Sequence, residues 1–137
     1  MFCALLVENN ETLRSKLDWM LKRHFPGIAT EEAASGSAAM RQVRFLAPDM
    51  VLVSINLPGE SGIRLIEDLK QQLPAVTVVA LSNYDLPEYR RAAMRSGADC
   101  FISKDSPSFS EDLLERVGGV AARIAAAEPA RRRPQAG

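Results

Sequence analysis

Two cysteines and one histidine are all the thiols and imidazoles that these 137 residues contain. A Cys/His zinc site or a disulfide framework needs more. An excess of charge is missing too: 17 Lys and Arg balance 17 Asp and Glu, so the chain as a whole lacks the basic surplus of a nucleic-acid binder. Three of the basic residues and one acid lie past Ala127, which leaves 14 basic against 16 acidic groups before that point, a mild net of −2. Long apolar runs are absent. The longest are strand-sized, such as Val76 to Leu81 with Thr77 inside, and no membrane span is expected. The start meets Glu8 without a basic region or a cleavage site, so it does not read as a signal peptide. A reducing cytoplasm is the expected compartment, with Cys3 and Cys100 packing in separate apolar runs. What remains is 47% hydrophobic and 25% charged, the balance of one soluble domain long enough to bury a core.

Two kinds of segment alternate along it. Short aliphatic or β-branched runs recur at Phe2–Val7, Ile28–Glu32, Met50–Ser54, Val76–Leu81 and Cys100–Ser103. Between them, apolar residues take helical spacing: Leu13, Leu17, Met20 and Leu21, then Ala39, Val43 and Leu46, then Ile63, Ile66, Leu69 and Leu73. Leu113, Leu114, Val117, Val120, Ala121 and Ile124 mark a last helix, for which Ser110 is the expected cap. Pro26-Gly27, Pro48 and Pro74 close the first three helices, and Pro87 and Gly97 bracket a fourth. This β–α alternation predicts an α/β fold: a doubly wound, five-stranded parallel sheet of order 2-1-3-4-5 with five helices over its two faces. Residues 1–127 form the expected domain. Residues 128–137 read as a flexible Ala/Pro/Arg-rich tail, because apolar periodicity stops at Ile124.

In such a sheet the ligand crevice lies beyond the C-terminal ends of strands 1 and 3. The residues placed there are Glu8, Asn9 and Asn10, then Ser54, Ile55 and Asn56, with Ser82 and Lys104 completing the mouth. Three stretches at these ends carry a resemblance. They are Asp49 through Ser54-Ile55-Asn56-Leu57-Pro58-Gly59-Glu60-Ser61-Gly62, then Val79 to Tyr84, and Ser96 to Asp105. Together they resemble the receiver domain of two-component response regulators, a flavodoxin-like fold, over roughly residues 1–127.

The resemblance implies a specific pocket. An Asp ending strand 3 accepts phosphate from a phosphohistidine, two acids after strand 1 help hold Mg²⁺, and a Ser or Thr and a Lys bind the transferred group. Carried over residue by residue, Ser82 matches the hydroxyl, Lys104 the lysine, and Phe101 the strand-5 aromatic that moves on activation in many receivers. Glu8 keeps one acid, Asn9 replaces the other, and Ser54 stands where the acceptor Asp belongs. Two of three carboxylates are gone, so Mg²⁺ binding is expected to be weak or absent, with Lys104 free to pair with Glu8. Ser54 reads either as a small hydroxyl filling the Asp site or as an unusual acceptor; a serine is a weak nucleophile without a positioned base. Ser82 and Lys104 read either as an anion site or as ordinary hydrogen-bonding groups.

No catalytic set is visible. His24 has no acid at triad spacing, and Gly36, Gly59 and Gly62 do not form a phosphate-binding loop. The expectation is therefore a non-enzymatic, phosphorylation-independent protein-interaction module of a phosphorelay, a pseudo-receiver. The rival readings are phosphotransfer through Ser54, or the regulatory half of a transcription factor. The resemblance implies that the partner, a signalling protein or a second copy, meets the face of helix 4, strand 5 and helix 5, where receivers usually bind partners. Arg90, Arg91 and Arg95 lie on the former helix and Asp112, Glu115 and Arg116 on the latter; a merely solvated charged face is the alternative. No helix-turn-helix follows Ala127, so specific DNA binding by this chain is not expected.

Overall fold

The computed structural model describes residues 2–131. Five parallel strands, β1 (Cys3–Val7), β2 (Ala29–Ala33), β3 (Met50–Ser54), β4 (Thr77–Ser82) and β5 (Cys100–Ser103), lie in the order β2-β1-β3-β4-β5. They alternate with α1 (Glu11–His24), α2 (Gly36–Gln42), α3 (Gly62–Gln72), α4 (Pro87–Ser96) and α5 (Phe109–Arg131). No helix among the described residues is long and apolar enough to cross a membrane.

The side-chain alternation of the strands splits the core in two. Leu5, Val7, Val51, Val53, Val78, Ala80 and Phe101 face one way and pack with Ala39, Leu65, Ile66, Leu69 and Ala93 of α2, α3 and α4. Ala4, Leu6, Met50, Leu52, Val79, Leu81 and Ile102 face the other way, against Leu17, Met20 and Leu21 of α1 and Leu113, Val117 and Val120 of α5. Covered on both faces, β3 is apolar along its length until Ser54 and entirely buried. Edge strand β2 instead leaves Glu31 and Glu32 in solvent. The register sets Val7 beside Val53, Val53 beside Ala80 and Ala80 beside Phe101, so the residues that follow emerge together at one end of the sheet.

Capping chemistry starts the helices at that end. Asn10, Ser35 and Ser61 each accept the backbone N–H three residues on, opening α1, α2 and α3. Glu60 reinforces α2 from outside, accepting the N–H groups of Gly36 at 2.9 Å and Ser37 at 3.0 Å. Gly62 is demanded by contact: a Cβ there would stand 2.2 Å from the Ile55 Cα. That contact seats α3 on the loop carrying Asn56. At Gly97, φ is +115°, a left-handed cap that ends α4.

Three sequence expectations need correction. The second helix ends at Gln42, and Leu46 lies beyond it, in a chain held by the bond from its N–H to the Gln42 carbonyl. The last helix begins at Phe109, so its cap position falls on Ser108 and not on Ser110. The Ser108 carbonyl takes the Asp112 N–H at 2.8 Å, while its hydroxyl donates to the Asp112 carboxylate. That helix also runs to Arg131, past the expected boundary at Ala127. Ala125 to Ala127 keep the helix going past Ile124 while exposed, whereas periodicity records burial alone. The rest of the expected tail, 132–137, lies outside the described residues.

Candidate functional site

The end of β1 delivers Glu8 into the crevice almost fully buried, at 3% exposure. Both of its carboxylate oxygens are engaged. Oε2 accepts the Asn10 N–H at 3.1 Å, and Oε1 accepts from Lys104 Nζ at 2.5 Å. Its backbone is tied as well: its N–H donates to the Ala33 carbonyl, and its own carbonyl accepts from Arg14 Nη1 at 2.8 Å. Arg14 goes on to pair with Glu32 at 2.9 Å, which links α1 to β2. Asn9, the next residue, points to solvent and is exposed.

Ser54 closes β3 with no solvent exposure. Its Oγ accepts from Lys104 Nζ at 2.9 Å. One ammonium thus bridges the ends of β1 and β3 from the loop after β5, and its side chain is only 14% exposed. The backbone N–H of Lys104 donates to the Ser82 carbonyl at 2.7 Å, which fixes where the side chain starts. Ser82, also fully buried, is satisfied within its own loop: its hydroxyl donates to the Tyr84 carbonyl at 2.8 Å and accepts the Tyr84 N–H at 3.1 Å. Asn56 reaches the same loop, accepting the Asn83 N–H at 2.8 Å.

The structure therefore brings Glu8, Ser54 and Lys104 into one hydrogen-bonded set, and holds Ser82 and Asn56 beside it through backbone partners. Asn9 stays outside. Chemically the set is a neutralised ion pair with one hydroxyl attached. Lys104 donates to Ser54 Oγ while Glu8 holds the ammonium, so the lysine is no base for that hydroxyl.

Phe101 is buried at 6% exposure, with the Arg90 guanidinium 4.7 Å from its ring centroid. Of the six expected surface residues, three lie on α4 and three on α5. Asp112, Glu115 and Arg116 line a groove of about 870 Å³ along the β5 edge, with Lys70, Asp99 and Arg123. Arg90, Arg91 and Arg95 lie outside that groove's lining, all exposed on α4. His24 is an exposed helix-end residue whose Nδ1 lies 2.9 Å from the Met20 carbonyl. Burial, with the carboxylates of Asp49 and Glu31 adding to it, pushes the Cys3 thiol up from its ordinary range, the opposite of a reactive thiolate. Arg14 and Glu60 escape a sequence reading. Each acts on backbone groups at spacings, six residues for Arg14 and more than twenty for Glu60, that leave no local pattern.

Comparison with known proteins places this geometry. A family model described as "Response regulator receiver domain" matches residues 4–117. The transcriptional activator protein ExaE of Pseudomonas putida is 34% identical over 114 residues, covering 82% of this chain and 53% of that protein. The phosphate regulon transcriptional regulatory protein PhoB of Escherichia coli K12 is 31% identical over 122 residues, covering 88% and 52%. The chain thus spans about half the length of these relatives. Among solved structures, a LuxR-family two-component response regulator from Aurantimonas sp. SI85-9A1 aligns with a TM-score of 0.79 at 25% identity, over 88% of this chain and 84% of that one.

Proposed function

The chain belongs to the response regulator receiver domain family of two-component signalling, and from that premise we propose that it signals by protein contact without an acceptor aspartate. The observation that carries this reading is the Lys104 bridge, 2.5 Å to Glu8 and 2.9 Å to Ser54. A receiver pocket gathers carboxylates around Mg²⁺. Here the donor set does not fit that ion: one carboxylate remains, its two oxygens are taken by Lys104 and the Asn10 N–H, and position 54 offers a neutral hydroxyl. The ammonium supplies the counter-charge that a metal would otherwise provide.

Ser54 fills the acceptor site as a hydrogen-bond acceptor for Lys104. Its complete burial and the lack of a base argue against phosphotransfer through its hydroxyl. The domain therefore acts as a binding module and not as a catalyst, its output set by the surface it presents. The α4 arginines and the groove between β5 and α5 are the surfaces offered to a protein partner or a second copy. The coverage of only half of each relative supports a further reading, in which such a domain regulates an attached output domain.

The deciding experiment is incubation with acetyl phosphate and Mg²⁺ followed by intact-mass measurement. An unchanged mass is expected; a gain of one phosphoryl group overturns the reading. Charge reversal at Arg91 or Arg95 should weaken partner capture or self-association, while Ser54→Ala leaves it nearly unchanged. The opposite pattern places the signal back in the old acceptor site.

A further inference from the structure

We propose that Arg90 is an ionic latch that closes α4 onto β5 through the ring of Phe101. The need for such a latch follows from how little else holds α4. Its buried set is Ala93 alone, against Gly62, Leu65, Ile66 and Leu69 in α3. Its N-terminus has no side-chain cap, because Leu86 stands at the cap position. Leu86 and Met94 are 39% and 45% exposed, so beside Ala93 its hold on the core comes from the half-buried Tyr89, with Ser96 donating to Glu67 of α3 at 3.3 Å.

The guanidinium of Arg90 adds a further attachment, to β5. It lies 4.7 Å from the centroid of the Phe101 ring, within cation–π range. Asp85, just before the helix, pairs with the same guanidinium at 3.3 Å. The side chain of Arg90 is itself 51% exposed, so the latch lies at the surface while the ring beneath it is buried. Phe101 sits on the edge strand, where no further strand covers it. Its ring belongs to the core packed against α3 and α4, and the charge lying over it is exchangeable. Release of Arg90 loosens α4 and uncovers the ring in one event, without any change at the Glu8–Lys104 pair. This device is independent of the phosphorylation reading, since none of its members belongs to the Lys104 set.

Amide hydrogen exchange and the Phe101 ring resonances test it in the intact chain. Arg90→Met keeps the aliphatic bulk and removes the charge. Exchange of the α4 amides from Arg90 to Ser96 is expected to rise roughly fivefold, the scale of a surface cation–π contact with its ion pair. The α3 amides should stay unchanged, and the ring resonances should shift. Arg90→Lys should recover much of the protection, and Asp85→Asn should give a smaller rise, of about twofold. Unchanged α4 exchange and ring signals in Arg90→Met overturn the proposal. So does an equal rise in α3, which marks general destabilisation.

Discussion

The two ends of the sheet carry the same chemical grouping in different solvent. At the C-terminal end, Lys104 donates to Glu8 and to Ser54, and Glu8 also accepts the Asn10 N–H. At the N-terminal end, Lys70 donates to Asp99 at 3.2 Å and to the Val76 carbonyl at 2.7 Å, and Asp99 also accepts the Val78 N–H. Each is a lysine, a carboxylate, a backbone amide and one further oxygen. The side chains of the upper pair are 14% and 5% exposed, those of the lower 24% and 43%. The lower cluster braces strand starts, much as Asp49 does by accepting the Cys3 N–H. The upper cluster occupies a crevice that the fold reserves for chemistry. Burial decides what each is worth: an exposed pair adds little, while a buried one is costly to break from one side.

The largest expected effect is a conversion of the upper end. Asn9→Asp combined with Ser54→Asp places acids at 8, 9 and 54, and acetyl phosphate with Mg²⁺ should then label the chain. Ser54→Asp alone should label far more slowly, because the metal site still lacks a ligand. Equal rates by intact mass would show that position 9 does not matter. Next comes stability. Lys104→Ala should cost about 3 kcal/mol in urea unfolding, since Glu8 stays buried without its partner. Lys70→Ala should cost about 1 kcal/mol or less. Similar losses in the two variants would dissolve the contrast. Ser54→Ala removes only a hydroxyl acceptor and should cost about 1 kcal/mol. The smallest effect is that of salt. At about 1 M NaCl, where screening reaches about 3 Å, Lys70→Ala should become nearly neutral while Lys104→Ala stays costly.

How legible each end was in the sequence follows from the same contrast. The upper residues stand at the ends of apolar runs, so the predicted strand ends and sheet order located Glu8, Ser54, Ser82 and Lys104, the resemblance supplied their roles, and the apolar runs of β3 and β4, buried on both faces, made the parallel sheet readable. The groups that brace the surrounding backbone were not readable. Arg14 meets a carbonyl six residues away, and Glu60 meets amides more than twenty residues away; neither spacing repeats or contrasts with its neighbours. The helix ends failed for a related reason. Beyond Ile124 the Ala-rich stretch stays helical with Ala125, Ala126 and Ala127 exposed, so no apolar stripe announces it. Arg90 read as a surface charge because only the fold places Phe101 beneath it.

Gly62 gives this fold an uneven tolerance to mutation. Every single-base change that recodes a glycine adds a Cβ, and at position 62 that atom would lie 2.2 Å from one backbone atom of Ile55 and 2.8 Å from two others. Backbone cannot step aside as a side-chain tip can. At Gly119, in the middle of α5, the same added atom meets nothing within 4 Å. A saturation library should therefore lose almost every variant at 62 and keep many at 119. The loop after β3 is thus locked by a steric lesion waiting at one codon, whatever residue stands at position 54.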